Sequence, residues 1–155
     1  MNPVQYLIAN HTLNMTPGKL AAQVAHASQM GLRLNAKTEH GNPYDESIVN
    51  RWMLGGHYAK VVLESDDLHT AGEYLASRGF TNASIIDEGR TEFGGTLTFT
   101  ALGLPVLDKD NPHVRETFSQ FKLYGNAERT SAEREAKIRA VEQTTSLMRR
   151  IMGSK

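Results

Sequence analysis

Residues 15–27 read MTPGKLAAQVAHA, and this stretch predicts a helix with two different faces. At about 100° per residue, Lys19, Gln23 and His26 fall within roughly 60° of one another. The apolar residues form a separate stripe, made of Leu20, Val24 and Ala27. One side of the helix therefore packs, and the other presents an ammonium, an amide and an imidazole together.

The residues before this helix favour an anion near its first turn. Pro17 and Gly18 let the backbone turn sharply into the helix, which places Lys19 beside unpaired N–H groups and the positive end of the helix dipole. This arrangement suits a phosphate or a developing oxyanion. The same pattern also fits an ordinary amphipathic helix with a solvated lysine and a hydrogen-bonded core histidine.

The composition is that of a globular protein without a strong electric field. The chain has 155 residues, 39% of them hydrophobic and 22% charged, which is enough for one domain with a real core. Seventeen Lys and Arg residues balance seventeen Asp and Glu residues. Any binding to RNA must therefore depend on a local patch rather than on net charge.

The sequence favours a cytoplasmic protein. It contains no cysteine, which excludes disulfides and thiolate zinc sites and fits a reducing compartment. The first residues do not resemble a signal peptide, and no apolar run is long enough to cross a bilayer, so no membrane partner is expected.

Strand and helix patterns alternate along the chain, which predicts an α/β fold. Val4–Ala9 is a short apolar run typical of a buried strand, and the helix carrying Lys19 follows it through a loop. Three further strands are predicted at Ala59–Glu64, Ala83–Asp87 and Thr96–Leu102. Gly94 and Gly95 permit a tight connection, so the last two strands are expected to be antiparallel neighbours.

Capping residues mark the other helices. Asn42-Pro43 opens one helix, and Ser65 or Asp66 begins the next. Asn111-Pro112 repeats the same cap and proline at the start of a short helix.

The fourth predicted strand alternates between an apolar and a threonine face. The apolar residues are Leu97, Phe99 and Ala101, and the threonines are Thr96, Thr98 and Thr100. The threonine face fits either a functional surface or the solvated face of an antiparallel strand.

Residues 126–155 differ in composition from residues 1–125, which we predict to be the main domain. A capping box at Thr130–Glu133 precedes apolar residues at helical spacing, including Ile138, Val141 and Met148. The pattern predicts a long amphipathic helix. It could pack on its own domain, form a homodimer contact, or serve as an arm that binds RNA.

Residues 87–91 read DEGRT and form the second informative motif. Asp87 ends a predicted strand, at the edge where α/β sheets usually bind ligands, and Gly89 allows a close backbone approach. Asp87 is a candidate base and Arg90 a candidate for binding an anion. An ordinary Asp-x-Gly turn would have the same sequence.

Several short motifs occur in one order along the chain. They are GKLAAQVAHA at 18–27, Lys60 leading Val61-Val62, DEGRT at 87–91, a threonine strand running into LGLP at 102–105, and FKLY at 121–124. Each is weak alone, but the ordered set resembles the archaeal and eukaryotic type of peptidyl-tRNA hydrolase, called type 2. The resemblance extends from Tyr6 to Tyr124.

The resemblance implies a mixed four-stranded sheet with helices on both faces, which makes a three-layer α/β/α fold. It also implies one cleft formed by Lys19, Gln23, His26, Lys60, Asp87, Thr91 and Thr98. The reaction implied is hydrolysis of the ester between a peptide and the terminal ribose of tRNA. Lys19, Asp87 and Thr98 would act in catalysis, and Gln23, His26, Lys60, Arg90 and Thr91 would bind peptidyl-tRNA.

The sequence departs from this family at positions that bear on tRNA binding. Asn14 and Pro17 stand where family members tend to carry lysines, and Glu88 replaces a small residue. Because contacts to phosphates dominate affinity for nucleic acids, we expect weak, salt-dependent binding of tRNA.

The chemistry expected needs no covalent nucleophile or cofactor. There is no cysteine and no Gly-x-Ser-x-Gly motif, and the six histidines lack a His-x-x-x-His pairing, so no metal is predicted. Other functions fit the same sequence: a non-catalytic module that binds tRNA or a nucleotide, a hydrolase of a smaller acyl substrate, or an interaction protein that uses its C-terminal helix.

Overall fold

The computed structural model describes residues 1–35 and 46–125, together with Arg139 and Gln143. The elements are β1 Pro3–Asn10, a short 3-10 helix at His11–Leu13, α1 Pro17–Asn35, α2 Glu46–Leu54, β2 Lys60–Ser65, α3 Leu68–Ser77, β3 Ala83–Asp87, β4 Thr98–Asp108, α4 Pro112–Phe118 and β5 Lys122–Leu123. The α/β class is confirmed. The predicted helix start at Asn42-Pro43 lies outside the described residues, and so does the predicted C-terminal helix apart from Arg139 and Gln143.

The strands form one mixed sheet in the order β3-β4-β1-β2-β5. β1 and β2 are parallel, and the other neighbours are antiparallel. The antiparallel pairing of the third and fourth strands is confirmed. The prediction of four strands is wrong, because Leu123 and Lys122 pair with β2 as a fifth strand. Two residues are too few to produce an alternating pattern in the sequence.

Side chains of β1 alternate between two hydrophobic clusters. Those that pack with α3 and α4 are Val4, Tyr6 and Ile8. The Tyr6 ring stacks on Phe118 of α4, with ring centroids 4.1 Å apart. Leu7 belongs to the other cluster, with Ala27 of α1. β1 is thus the centre of the core, and α1 is fixed against the sheet by its apolar stripe.

Helix α1 approaches β4 unusually closely. A Cβ atom on Gly31 would overlap the carbonyl oxygen of Leu104, and one on Gly103 would overlap that of Ala27. The fully buried Gln5 adds polar contacts here, because its Nε2 donates to the carbonyls of Ser28 at 2.8 Å and Leu104 at 3.0 Å. This contact sets the position of the polar face of α1 over the sheet.

Two helix starts were predicted with different success. Asn111 caps α4 as expected, since its side chain accepts from the backbone N–H of His113 at 2.9 Å. The cap of α3 is Asp67 rather than Ser65 or Asp66; its carboxylate accepts from the N–H groups of His69 and Thr70.

The alternation between an apolar and a threonine face that was predicted for the fourth strand is wrong at two positions, Leu97 and Thr100. β4 begins at Thr98, so Leu97 precedes it and is 72% exposed, whereas Thr100 is fully buried. The pairing with β3 shifts at this point: Ile85 pairs with Ala101, but Ile86 pairs with Phe99. Thr100 is therefore the extra residue of a β-bulge, which breaks the alternation.

No helix among the described residues is both long and apolar enough to cross a membrane.

Candidate active site

Lys19 and Asp87 form a partly enclosed ion pair between α1 and the end of β3. Lys19 Nζ lies 2.6 Å from Asp87 Oδ2, and their side chains are only 10% and 14% exposed. Nζ also donates to Thr91 Oγ1 at 3.1 Å and lies 5.3 Å from the centre of the Phe93 ring. An ammonium has three donors, so these two hydrogen bonds leave a third N–H for a ligand.

A carboxylate from the protein itself occupies the start of α1. Thr16 precedes Pro17, the first residue of the helix, and its backbone N–H and hydroxyl both donate to Glu92. The anion predicted near the first turn is thus partly supplied by Glu92. Stabilisation of a substrate anion must then depend on the Lys19 ammonium more than on the helix start.

Gln23 connects Asp87 to the interior of the protein. Its Nε2 donates to Asp87 Oδ2 at 3.0 Å, and its Oε1 accepts from the hydroxyl of Thr100 at 2.6 Å. Thr100 is fully buried and Gln23 almost so. The hydroxyl therefore fixes the orientation of the amide, with its NH₂ group toward the carboxylate. The sequence prediction did not single out Thr100, because the threonine pattern fits a functional surface and a solvated strand face equally well.

The surroundings of Asp87 keep its carboxyl ionised. The hydrogen bond from Lys19 is the largest of the effects that hold its pKa below the ordinary value, joined by the N–H of Gly89 at 2.8 Å, the charge of Lys19 and the amide of Gln23. Together they outweigh burial, which acts in the opposite direction. Oδ2 accepts two hydrogen bonds and Oδ1 accepts one, so one lone pair of Oδ1 can still accept from a water molecule.

Gly89 is required by this turn. Its φ is +73°, a left-handed conformation, and a Cβ atom there would overlap the backbone of Thr96. This close contact is with the protein's own backbone, and the predicted approach of Gly89 to a bound ligand stays a prediction.

The cluster opens into a cavity of about 520 Å³ between α1 and β3. Its polar lining residues are Lys19, Gln23, His26, Asp87, Glu88, Arg90 and Thr91. His26 is exposed. Arg90 is also exposed and pairs with Glu88 at 2.6 Å, an interaction that water weakens. The structure thus brings six of the eight predicted site residues to one cavity.

Thr98 lies beside this cluster but does not join its hydrogen bonds. It pairs directly with Asp87 across the ladder between β3 and β4. Its hydroxyl donates to the carbonyl of Thr96 at 2.9 Å. Thr100, two residues further along, makes the contact with the cluster.

The prediction that Lys60 joins this cleft is wrong. Lys60 pairs with Gln5, and Gln5 with Val106, which is eight residues from Thr98 along β4. At the rise of a strand this is roughly 26 Å. The Lys60 ammonium lies instead 4.6 Å from the Trp52 ring and donates to the carbonyl of Tyr58, and burial lowers its pKa. The sequence placed Lys60 at the start of a strand, but it did not show at which end of the assembled sheet that strand begins.

Within residues 1–35 and 46–125, no group of three or more His, Asp and Glu side chains is arranged to hold a metal ion.

Comparison with known proteins extends over almost all of the described chain. The model of the family "Peptidyl-tRNA hydrolase PTH2" matches residues 3–124. Peptidyl-tRNA hydrolase from Methanopyrus kandleri is 38% identical over 103 residues, which cover 64% of this chain and 82% of that protein. Peptidyl-tRNA hydrolase from Halobacterium salinarum is 36% identical over 121 residues, which cover 76% and 98%.

A eukaryotic relative is also similar. Peptidyl-tRNA hydrolase 2 from Saccharomyces cerevisiae is 36% identical over 101 residues, or 63% of this chain. The matched region spans about half the length of the yeast protein, 48%. Because the family model covers most of the chain and includes Lys19, Gln23 and Asp87, the chain belongs to the peptidyl-tRNA hydrolase PTH2 family.

Proposed function

We propose that this protein hydrolyses the ester that joins a peptide to the terminal ribose of tRNA. The observation that carries the proposal is the cluster of Lys19, Gln23 and Asp87 at an open cavity, in a chain of the PTH2 family. The cluster combines a cation for an oxyanion with a carboxylate that can hold water, which are the two requirements of acyl transfer to water.

In the proposed reaction, Asp87 Oδ1 orients a water molecule with its remaining lone pair. The water oxygen bonds to the ester carbonyl carbon while one water proton passes to Asp87. The bond from that carbon to the ribose oxygen then breaks, and the ribose oxygen takes the proton from Asp87. The other water proton remains on the new peptide carboxyl group. Since its lowered pKa makes Asp87 a weak base, orientation of the water contributes more than proton removal.

Lys19 has the role of stabilising the oxyanion through its third N–H. The same ammonium attracts the phosphates and ribose of the tRNA end. Gln23 and Thr91 hold Lys19 and Asp87 in place, while His26 and Arg90 bind the RNA at the exposed rim of the cavity. Thr98, opposite Asp87, supplies a further hydroxyl donor when it turns away from Thr96.

The test is release of labelled peptide from peptidyl-tRNA by the purified protein and its variants. Asp87→Asn keeps the shape of the side chain but removes its charge, and we expect turnover to fall roughly 10²–10⁴-fold with little change in tRNA binding. Glu88→Gln removes the neighbouring exposed carboxylate and is the matched control. Lys19→Ala is expected to reduce both turnover and binding.

Undiminished peptide release by Asp87→Asn would exclude Asp87 as the base that orients the water, and His26 would become the next candidate for that role. If the wild-type protein released no peptide at any salt concentration, a non-catalytic module that binds tRNA would be favoured. Release from small acyl esters but not from peptidyl-tRNA would favour the smaller substrate, which the zero net charge also suits.

We further propose an organisation around this reaction. Residues 1–125 are the hydrolase domain, with helices layered on both faces of the sheet, and residues 126–155 are an amphipathic helical extension. That extension is a candidate contact for a homodimer. The expected site of action is the cytoplasm, where peptidyl-tRNA is found, without a membrane partner.

A further inference from the structure

The outer edge of β3 offers unpaired backbone groups within the part of the chain that the structure describes. β3 is an edge strand and pairs with β4 on one side. The carbonyl oxygen of Ile85 lies 3.2 Å from the hydroxyl oxygen of Thr100 on β4, so it faces β4. Backbone groups alternate in direction along a strand, so the N–H and C=O groups of Ser84 and Ile86 face outward. Such groups can pair with another extended chain.

This edge leads directly into the candidate active site. Ile86 precedes Asp87, is 52% exposed as a residue, and lines the same cavity as Lys19 and Gln23. The cavity lies between β3 and the polar face of α1. An extended chain along this edge would therefore end beside Asp87.

We propose, on the basis of the proposed function, that the peptide part of the substrate adds to this edge as a strand parallel to β3. The ester carbonyl is at the C-terminal end of the peptide, and Asp87 is the C-terminal residue of β3. A peptide with its C-terminal end at Asp87 and its N-terminal end toward Ala83 therefore runs in the same direction as β3. Pairing through main-chain groups is independent of side chains, which suits an enzyme that meets peptides of any sequence.

The length of β3 sets the reach of this site. Ser84 is three residues before Asp87, or roughly 10 Å along a strand. The edge therefore holds about three peptide residues before the ester. In parallel pairing, the C=O and N–H of Ile86 bond to two alternate peptide residues, so only every second peptide N–H takes part.

The experiment uses N-acetylated peptidyl esters of one to five residues on the same tRNA, with the full-length protein. We expect kcat/KM to rise up to about three residues and then to stay constant. N-methylation of single peptide nitrogens should lower kcat/KM roughly 3–10-fold, the loss expected for one hydrogen bond. The loss should occur at every second residue.

A variant tests the same edge from the protein side. Ile86→Pro removes one outward N–H and should lower kcat/KM for the three-residue substrate by a larger factor than for the one-residue substrate. Leu123→Pro is the matched control at the opposite edge of the sheet. The N–H of Tyr124 donates to β2 at Val62, so that of Leu123 faces outward too. This control should behave as the wild-type protein does.

Three outcomes would decide against the proposal. Equal kcat/KM values for all N-methylated substrates, or equal losses at adjacent residues, would overturn strand pairing. In either case, hydrolysis of the one-residue ester would leave the proposed function standing. Absence of hydrolysis for every substrate would overturn both. If Ile86→Pro does not fold, the substrate series alone decides.

Discussion

At the scale of single residues, the Thr100 hydroxyl determines which way the Gln23 amide points. Thr100→Val keeps the shape but leaves Gln23 Oε1 without its donor at 2.6 Å. The amide is then free to turn over and present its oxygen to Asp87. We expect kcat to fall roughly 5–20-fold with KM little changed, since one hydrogen bond that orders the site is lost.

Thr100→Ser retains the hydroxyl and is the control for this prediction. It should retain kcat, whereas a purely structural role for the Thr100 methyl group would impair Thr100→Ser and spare Thr100→Val, which keeps that methyl. Steady-state hydrolysis of one peptidyl-tRNA by the three proteins is the measurement. Equal kcat values for Thr100→Val and the wild-type protein would contradict the assigned role.

The charge of Asp87 also predicts how stability depends on pH. Its pKa in the folded protein is lowered from the ordinary 3.8, so the ionised form stabilises the fold. This contribution is complete above the ordinary pKa and disappears as the pH falls through the lowered one. The free energy of unfolding of the wild-type protein, minus that of Asp87→Asn, should therefore be constant near neutral pH and shrink in acid.

Urea unfolding at a series of pH values measures this difference. In Lys19→Met the carboxyl loses its main partner, so the Asp87 carboxyl should titrate at a higher pH than in the wild-type protein, as followed by its carbon NMR signal. A difference in stability that grows with acidity would mean that the folded pKa is raised instead.

At the scale of elements, the contact of α1 with β4 positions three predicted site residues at once. Gly31→Ala would force a Cβ atom into the Leu104 carbonyl, and backbone on both sides prevents simple relief. We expect a loss of at least about 2 kcal/mol in the free energy of unfolding. Because α1 would move as a unit, peptide release should fall as well.

Gly18→Ala is the control within the same helix. Nothing lies within 4 Å of the Cβ position at Gly18. A glycine to alanine change in an unobstructed helical position stabilises by about 0.5 kcal/mol. Urea denaturation measures the free energy of unfolding of both variants, provided that its slope against urea concentration is unchanged. Similar stabilities for Gly31→Ala and Gly18→Ala would show that α1 can move away from the sheet.

At the scale of the whole molecule, Met1–Gly125 form one compact unit and Asn126–Lys155 a second. If the second unit is the proposed helical extension, its apolar stripe needs a partner. We compare the full chain with a chain that ends at Tyr124. We expect the full chain to have a larger ratio of solution mass to the calculated mass of one chain, or a higher melting temperature. Light scattering and thermal unfolding measure these quantities. Identical values for both would exclude a dimer contact and a structural support.

Features that depend on local geometry were predictable from the amino-acid sequence. Helical periodicity placed Lys19, Gln23 and His26 on one face, and they line one cavity in the structure. The apolar run at Val4–Ala9 and the glycines after Asp87 correctly indicated a buried strand and an antiparallel neighbour. These features repeat over a few residues of the chain, so their pattern is visible without any distant contact.

Features that depend on how distant segments pair became visible in the folded structure alone. The bulge between β3 and β4 turns Thr100 toward Gln23, and the order of strands puts Lys60 far from Asp87. Likewise, Glu92 reaches Thr16 only because a loop folds back onto α1. Register, sheet order and loop closure are set by contacts across the whole fold, and residue spacing along the chain does not contain them.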